Sequence, residues 1–384
     1  MGLLSPFAIA LQQRASKHQG VGTTAGEMFF FSTVGSIAGS LAAGFVLIPF
    51  FGIDAIVIGV GIILFLLGLL PLVLLGLDRS ITIGAILVAG GVLALCALST
   101  VPSRGIVYNR DGLYEKIVIS DGLLNNRPTR FLQQDTSNSA AIYLDGDDLT
   151  YAYSKYYALH ELFVPTVQRA LVMGGGAYSI PKALLHDFPR ANVDVSEIEP
   201  SLVPLAKQYF GLQDNPRLTH YIEDGRRMLH DTDHRYDLIF SDVYHSLYSI
   251  PSHMTTVEAM RLVRDRLNPG GVFMANLIGS TDRQDPSFLW SQIKTMQQVF
   301  PQVYLFTVES PAQTGTQNII AVGDTSRKRV DINDPRWRRS AYEVVRTIAG
   351  HYLDTTRLSL DRYALLTDQY APVDYLTARV LPTR

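Results

Sequence analysis

A long stretch near the N-terminus almost lacks charge, and this restricts the fold more than any other feature. Between Met28 and Val101 the only charged residues are Asp54, Asp78 and Arg79. They separate three apolar runs, each with about the 20 residues that an α-helix needs to cross a bilayer. Three runs in succession exceed the single apolar region of a cleaved signal peptide. We therefore predict transmembrane helices at about 28–52, 55–77 and 81–101.

Composition excludes several kinds of partner. The 33 basic and 35 acidic residues nearly balance, without the positive excess typical of nucleic-acid-binding proteins, so no nucleic-acid partner is expected. Cys96 is the only cysteine and lies in an apolar run, which excludes a disulfide framework and a cysteine-ligated metal. His160, His245 and His253 do not have the spacing of helical metal ligands, and we expect no metal.

Beyond the apolar runs the chain changes to the pattern of a folded α/β protein. Turn dipeptides at Asp121-Gly122 and Asp145-Gly146, between strand-forming residues, predict hairpins in a small antiparallel β-domain. From Arg169 onward strands and helices alternate, which is typical of a parallel sheet covered on both faces. The predicted segments are an interfacial segment 1–27, membrane helices 28–103, the β-domain 104–160, a Rossmann-like domain 161–330 and a helical cap 331–384.

The sequence predicts parallel strands at 170–173, 193–196, 218–221 and 236–241, and each is followed by glycine or a carboxylate. The first runs into Gly174-Gly175-Gly176 before a helix, where glycines let backbone N–H groups approach a ligand. The second ends at Glu197, about 20 residues further on, where an acid accepts hydrogen bonds from ribose hydroxyls, and Glu199 shares its strand parity and could assist. Asp224-Gly225 follows the third strand, suited to an adenine amino group, and Asp242 follows the fourth. Because ligands bind at the carboxyl edge of such sheets, this pattern predicts an adenosine site.

The charge at these strand ends favours one class of nucleoside. The acids follow one another without a lysine or arginine clamp, and no Gly-Lys-Ser/Thr phosphate loop occurs. Phosphate binding is therefore poorly supported, and a positively charged sulfonium nucleoside fits better than a dinucleotide. We expect S-adenosylmethionine or decarboxylated S-adenosylmethionine as the co-substrate.

These motifs resemble the spermidine synthase (polyamine aminopropyltransferase) family, and in particular its membrane-fused branch. The resemblance extends from about Tyr114 to a strand at 272–276, with the turn 268–271 before it, and the apolar stretch 32–52 is similar to the last helices of the fused proteins. It implies a Rossmann-like S-adenosylmethionine-dependent transferase fold of seven strands, with a small N-terminal β-domain and commonly a homodimer. Fused proteins often have more than three helices, so we expect this chain to be either a short version of them or an incomplete reading frame.

The resemblance implies a role for each matching residue. The three glycines at 174–176 match the family's glycine motif, Glu197 its ribose-binding acid, and Asp224 with Gly225 its adenine-side pair. Asp242 matches the general base that accepts a proton from the attacking amine. The reaction so implied is a direct displacement, in which a neutral amine attacks a carbon next to the sulfonium and a thioether leaves.

Two positions depart from the family's motifs. Ala177 stands where the family has an aspartate that holds the amino end of decarboxylated S-adenosylmethionine. His245 replaces a second aspartate that binds the substrate amine, and we expect this histidine to act as a base or substrate contact. These departures predict weak or absent transfer to putrescine, with a different amine or a less charged group as acceptor.

Further substrate contacts are expected from tyrosines and from the C-terminal segment. Tyr156, in a tyrosine-rich stretch where the family's substrate loop passes, and Tyr244 are candidates. The segment 366–374 is either a cap on the sheet or a source of amine-binding carboxylates, from Asp368 and Asp374. The mixed-charge segment 334–346 predicts a solvated helix, with contact to a membrane surface as the alternative.

Three functions fit these observations. The leading one is a membrane-anchored transferase that passes an aminopropyl or related group to an amine or polyamine acceptor. The alternatives are an S-adenosylmethionine-dependent methyltransferase and a non-catalytic membrane protein that senses nucleosides or polyamines. Basic residues flank the apolar runs on both sides, so the positive-inside rule does not choose an orientation. We expect a multi-pass protein of the inner or plasma membrane, in contact with the bilayer, with its catalytic domain in the cytoplasm, where its ligand is made.

Overall fold

The computed structural model describes residues 6, 8–10, 12, 20–74, 83–84, 87–88, 90–92, 105–244, 250–313 and 315–378. The chain divides into two compact units, Met1–Pro102 and Ser103–Arg384, each described by itself below. In the N-terminal unit α1 (Val21–Ala42) continues through a π-helical turn into the short α2 (Ile48–Phe51). Gly52, with a φ of 71°, separates α2 from α3 (Ile53–Leu74).

One described stretch, Val21–Leu47, is long and apolar enough to cross a membrane. It starts before the expected residue 28, because the small residues at 21–26 and Glu27 continue the helix without a break. A second apolar stretch, Ala55–Gly68, is shorter than a full crossing. The third expected helix, 81–101, lies mostly outside the described residues. Length and composition thus support one crossing, by a test that a signal sequence also passes, and they do not support the multi-pass prediction.

The C-terminal unit begins with a four-stranded antiparallel sheet whose strands pair in chain order. The predicted turn at Asp121-Gly122 is wrong, because both residues lie inside the second strand. The chain turns instead at Asn125-Asn126, where φ is 52° and 61°, as a tight hairpin turn requires and asparagine tolerates. At Asp145-Gly146 the chain does turn, because an antiparallel bridge joins Ile142 to Leu149 across it. This turn follows the last strand and does not connect two strands of the sheet. The strands are β1 (Ile106–Asp111), β2 (Lys116–Leu124), β3 (Arg127–Gln134) and β4 (Ser137–Tyr143).

An eight-stranded sheet forms the centre of the same unit. Its strands are β5 (Arg169–Met173), β6 (Asn192–Ser196), β7 (Leu218–Tyr221), β8 (Tyr236–Ser241), β9 (Leu267–Gly279), β10 (Gln302–Thr307), β11 (Gln317–Asp324) and β12 (Tyr352–Leu353). They lie in the order β12-β10-β11-β9-β8-β5-β6-β7. The five from β9 to β7 are parallel, and β11, β10 and β12 extend the sheet antiparallel. The short edge strand β12 is one more than the seven that the family resemblance implies.

Helices cover both faces of this sheet. They are α4 (His160–Phe163), α5 (Ser179–Asp187), α6 (Leu202–Tyr209), α7 (Gly225–Asp231), α8 (Val257–Asp265), α9 (Phe288–Gln297), α10 (Glu343–Arg346) and α11 (Val373–Thr377). Leu171 and Met173 of β5 pack with α7, α8 and α9, whereas Ala170 and Val172 pack with α4, α5 and α6. The strand is apolar on both sides because both faces are covered, as predicted for a parallel sheet.

The mixed-charge segment 334–346 is not the solvated helix that its charges predict. A 3₁₀ turn (Pro335–Arg339) and the short α10 take its place. Trp337 is buried in the hydrophobic cluster of one sheet face, and its ring N–H donates to the Asp331 carbonyl at 2.8 Å. Burial of this large ring, rather than the charges around it, determines the local structure.

Candidate active site

A cavity of about 520 Å³ opens at the carboxyl ends of β5, β6 and β8. The strand order reverses beside β5, which lies between β6 and β8. Ligands in open α/β sheets bind at such a reversal. Eight of the predicted site residues line this cavity: Gly174, Gly175, Gly176, Glu197, Asp224, Gly225, Asp242 and Tyr244.

The glycine turn after β5 lies against the end of β8. Gly174 has a φ of 91°, and a Cβ atom there would lie 2.3 Å from the carbonyl oxygen of Asp242. A side chain at this position is therefore excluded both by backbone conformation and by space. The next two N–H groups, of Gly175 and Gly176, donate to Glu197 Oε2 at 2.7 and 3.4 Å. The turn thus ties Glu197 to the edge of the cavity through backbone donors.

Glu197 and Glu199 have different environments although they share strand parity. Glu197 lines the cavity, and burial raises the pKa of its carboxyl group. Glu199 is not among the lining residues, since its carboxylate accepts hydrogen bonds from the N–H groups of Tyr114 and Ser201, both at 3.0 Å. The prediction that Glu199 assists at a ribose is therefore wrong. It holds the β1–β2 turn to the sheet instead.

Asp224 is the N-cap of α7. Its Oδ1 accepts hydrogen bonds from the N–H groups of Arg226 and Arg227, at 2.9 and 3.2 Å. Its Oδ2 lies 2.9 Å from His253 Nε2. Capping and the histidine hold the carboxylate at the mouth of the cavity, where it can face an adenine ring. His253, which the sequence suggested only as a weak metal candidate, is therefore a partner of Asp224.

Asp242 follows β8 and meets polar groups from two other elements. Asn276 Nδ2 donates to its Oδ1 at 2.9 Å, and the hydroxyl of Tyr153, which donates to the Ser139 carbonyl at 3.2 Å, lies beside it. Burial raises the pKa of Asp242, while the hydrogen bond from Asn276 and the nearby Tyr153 hydroxyl lower it. A carboxylate in this position can accept a proton from a nucleophile in the cavity. Asn276 and Tyr153 both line the cavity, and sequence reasoning named neither as part of the Asp242 site.

Glu115, immediately before β2, is a further acid that the sequence did not single out. It lines the cavity beside Gln134, whose side-chain amide donates to its carboxylate. Burial raises the pKa of Glu115 to about 7, and the nearby charges of Glu197 and Glu199 add to the effect. The only signal in the sequence is an acid in a predicted hairpin, a pattern too common to indicate a site.

The charge of the lining is of one sign. Among the described residues that line the cavity there is no lysine, arginine or histidine. Ser179 at the start of α5 is also a lining residue, and its buried hydroxyl oxygen has no hydrogen-bond partner in the described part of the chain. The cavity is therefore suited to a cationic ligand that also accepts or donates hydrogen bonds. The lining carboxyl groups are Glu115, Glu197, Glu223, Asp224, Asp242 and Glu309.

Histidines do not assemble a metal site in the described residues, where no group of three or more His, Cys, Asp or Glu side chains could hold an ion. His160 is buried against the rings of Phe188 and Tyr342, and neither of its nitrogens has a hydrogen-bond partner among the described residues. His245, expected as a base or substrate contact, lies outside the described residues.

Comparison with known proteins shows what this chain is similar to. Residues 158–334 match the model of the spermine/spermidine synthase domain. The matched residues run from the segment before β5 to the residue before the 3₁₀ turn at 335–339, and they include every predicted site residue except Asp368, Asp374 and Tyr156.

The proteins that this chain is similar to differ in activity. A polyamine aminopropyltransferase of Vibrio vulnificus is 25% identical over 73% of this chain and 96% of its own length. An eEF1A lysine and N-terminal methyltransferase of Bos taurus is 28% identical, but only over 39% of this chain and 22% of that protein. Among solved structures, a probable spermidine synthase from Corynebacterium glutamicum has a TM-score of 0.51 and 22% identity, covering 61% of this chain and 84% of that one. This likeness shows the Rossmann-like fold.

Three of the expected substrate contacts lie outside the cavity. The hydroxyl of Tyr156 donates to the Thr307 carbonyl at 3.0 Å within the core, because the turn that carries it packs against the sheet. Asp368 forms an ion pair with Arg226. Asp374 is exposed and borders a separate, smaller depression. The segment 366–374 therefore caps the sheet, and the prediction that it supplies carboxylates to the cavity is wrong.

Proposed function

We propose that this protein is an aminopropyltransferase-like enzyme whose donor is decarboxylated S-adenosylmethionine and whose acceptor is an amine. The observation that carries the proposal is the acidic lining. S-adenosylmethionine has a carboxylate, which would meet the lining acids without a cationic side chain among the described residues to receive it. The decarboxylated donor has only positive charges, on sulfur and on the terminal amine. The similarity to a polyamine aminopropyltransferase over most of both chains supports the same assignment.

The proposed reaction is a direct displacement. An amine nitrogen attacks the carbon next to the sulfonium, the C–N bond forms as the C–S bond breaks, and the electron pair of the broken bond goes to sulfur. The new amine loses one proton, which the Asp242 carboxylate accepts. Glu197 and Asp224 hold the nucleoside, so the protein brings the two reactants into line and reduces the entropy cost of their encounter.

Ligand selectivity tests the donor. We expect decarboxylated S-adenosylmethionine to raise the thermal midpoint most, with methylthioadenosine next and S-adenosylmethionine weaker, while NAD and ATP have no effect. Stabilisation grows as RT ln(1 + [L]/Kd) for a ligand that binds only the folded state. Equal stabilisation by NAD would contradict a sulfonium nucleoside site. S-adenosylmethionine binding as tightly as its decarboxylated form would contradict the choice of donor.

Replacement of Asp242 tests the chemistry. We expect Asp242→Asn to reduce transfer at least a hundredfold, because an amide cannot accept the proton. Stabilisation by methylthioadenosine should remain within about twofold of the native value, since Glu197 and Asp224 bind that ligand. Product analysis by mass spectrometry with a panel of mono-, di- and polyamines identifies the acceptor. A variant with native activity would show that Asp242 is not the base.

Methyl transfer is the second candidate, for a specific reason. Ala177 lacks the carboxyl group that would hold the amino end of an aminopropyl donor, and it packs in an apolar cluster against Ile117 and Leu205. The similarity to a lysine and N-terminal methyltransferase points the same way over part of the chain. The two reactions leave different products from the nucleoside, methylthioadenosine after aminopropyl transfer and S-adenosylhomocysteine after methyl transfer. Chromatography of the reaction mixture distinguishes them.

We also propose that the protein is associated with a membrane. The stretch Val21–Leu47 supports one crossing by its length and composition. The further crossings expected from the apolar runs 55–77 and 81–101 rest on sequence alone.

A further inference from the structure

Asp242 is connected to a second asparagine through the first. Asn276 Nδ2 donates to Asp242 Oδ1 at 2.9 Å, and Asn276 Oδ1 accepts from Asn318 Nδ2 at 3.0 Å. Strand register explains the line of contacts. Ala275 of β9 pairs with Ser241 of β8, which places Asn276 beside the residue after Ser241. Asn318 of β11 pairs with Ile278, two residues from Asn276 and therefore on the same face of the sheet.

The chemistry of these three groups allows one arrangement of donors. An ionised carboxylate can only accept hydrogen bonds, so Asn276 must direct its NH₂ group to Asp242. Its oxygen then faces Asn318, which must in turn present its own NH₂ group. If the Asn276 amide were reversed, its oxygen would face Asp242, and that contact would favour a protonated carboxyl group. The orientation of one amide therefore affects whether Asp242 is charged.

We propose that Asn318 is a positioning residue that fixes the orientation of the Asn276 amide and so keeps Asp242 a carboxylate, able to accept the proton of the acceptor amine. The inference rests on the proposed function only for the claim that the proton comes from an acceptor amine. The ionisation of Asp242 does not depend on that function. Asn318 lines the cavity from the far side of Asn276, outside the motifs of the predicted site. Its role is indirect, through Asn276.

The surroundings of Asp242 make its ionisation depend on the orientation of the Asn276 amide. Burial opposes the charged form and raises its pKa, so the fold depends on donors to keep the group ionised. Among the described residues the titratable groups that face Asp242 are the hydroxyls of Tyr153 and Tyr244. The Tyr153 hydroxyl donates to the Ser139 carbonyl at 3.2 Å, and the Tyr244 hydroxyl accepts from the Ile278 N–H at 2.5 Å. Neither carries positive charge, so the NH₂ group of Asn276 is the main donor that favours the carboxylate.

A double-mutant cycle tests the chain of hydrogen bonds from Asn318 through Asn276 to Asp242, which we call the relay. The substitutions do not change the charge of the protein. Asn318→Leu should move the acidic midpoint of the kcat/KM profile upward by about one pH unit, while kcat on the alkaline plateau stays within about twofold of native. Asn276→Leu should move it at least as far, and adding Asn318→Leu to Asn276→Leu should move it no further. Asn138→Leu, which alters another asparagine of the same cavity on β4, should leave the midpoint unchanged.

Thermal unfolding as a function of pH gives a readout that needs no substrate. A buried carboxyl group with a raised pKa stabilises the fold when protonated, and that stabilisation is lost as pH rises through its folded-state pKa. Asn318→Leu should shift this loss to higher pH, and the shift should vanish in an Asp242→Asn background. Asn318→Asp, whose carboxylate would accept from Asn276 and reverse it, should shift the loss further than Asn318→Leu does.

The outcomes separate the relay from the proposed reaction. Failure of the native protein to transfer any group would overturn the proposed function, and the unfolding data would still decide the role of Asn318. The relay would be overturned if Asn318→Leu left the kcat/KM midpoint at its native pH. It would also be overturned if Asn318→Leu caused its full shift of that midpoint in the Asn276→Leu variant, or its full shift of the unfolding profile in the Asp242→Asn variant.

Discussion

Glu115 is a carboxyl group of the cavity whose ionisation falls near neutral pH because of the fold. Its pKa is raised to about 7, chiefly by burial. A carboxyl group with a raised pKa stabilises the folded state fully below its ordinary value of 4.5, and this contribution is lost as pH rises through about 7. At alkaline pH the native protein therefore holds a charge that its fold opposes.

Glu115→Gln tests this consequence. We expect the variant and the native protein to unfold at similar temperatures near about pH 5, and the variant to unfold roughly 2 °C higher near about pH 8, since glutamine carries no charge. Thermal unfolding across this pH range is the measurement. The exposed Glu343→Gln serves as a control for loss of a surface carboxylate and should show no such dependence. A constant offset at all pH values would contradict the expectation.

At the scale of an element, the turn between β5 and α5 depends on close contact as well as on backbone conformation. Gly174→Ala should destabilise the fold by about 3 kcal/mol and weaken nucleoside binding, because the new Cβ would displace the end of β8. Gly211→Ala is the matched control. Gly211 also has a positive φ, 67°, but nothing lies within 4 Å of an added Cβ, so about 1 kcal/mol is expected. Chemical denaturation measures both variants, and equal losses would mean that the contact with β8 contributes nothing.

The C-terminal segment is held to α7 by an ion pair rather than by substrate. Arg226 donates to both carboxylate oxygens of Asp368, at 2.7 and 2.5 Å, and Thr256 donates to one of them at 2.7 Å. Hydrogen bonding by Arg226 holds the pKa of Asp368 below its ordinary 3.8. The stabilisation that follows is present above that value and is lost as pH falls through the folded-state pKa.

We expect Asp368→Asn to lower stability by about 1 kcal/mol at neutral pH, a modest loss because the pair is partly exposed. The difference from the native protein should shrink in acid. The KM of the acceptor should be unchanged, since Asp368 does not line the cavity. Asp374→Asn, on an exposed residue of the same segment, is the control and should leave stability near native. A rise in acceptor KM with Asp368→Asn alone would restore the substrate role that the sequence suggested.

At the scale of the whole molecule, the two units differ in how much apolar surface they expose. Many large apolar side chains of the N-terminal unit are exposed, including Phe29, Phe45 and Phe50, whereas the C-terminal unit has its own extensive core. Exposed apolar surface of this extent is typical of contact with lipid or with another protein.

We expect the full chain to stay in the membrane fraction through high-salt and carbonate washes, which remove proteins held by surface charge. A fragment 103–384 should be soluble and should keep its stabilisation by methylthioadenosine within about twofold of that of the full chain, because all lining residues lie within it. Fractionation and thermal unfolding measure these properties. Release of the full chain by carbonate would contradict membrane insertion, and a fragment that pellets with lipid would indicate membrane contact by the C-terminal unit.

The local pattern of apolar and turn residues was enough to locate the parallel strands. The expected strands at 170–173, 193–196, 218–221 and 236–241 agree with β5 to β8 to within a residue, because a buried parallel strand is a short apolar run bounded by turn residues. The same logic failed at Asp121-Gly122, where a turn dipeptide lies inside a strand and the asparagine pair a few residues later makes the turn. Turn propensity indicates which residues can form a turn. The pairing of the flanking strands decides which of them form one.

The sequence by itself determined which strand ends carry a glycine or an acid, and hence that Gly174, Glu197, Asp224 and Asp242 meet at one edge of a parallel sheet. This follows because successive parallel strands all present their carboxyl ends on the same side. Only the tertiary structure decided that Glu199 turns to the β-domain, that Glu115 joins the cavity, and which groups surround Asp242. Those facts depend on register between strands far apart in sequence and on burial, and neither is a property of any local stretch of residues.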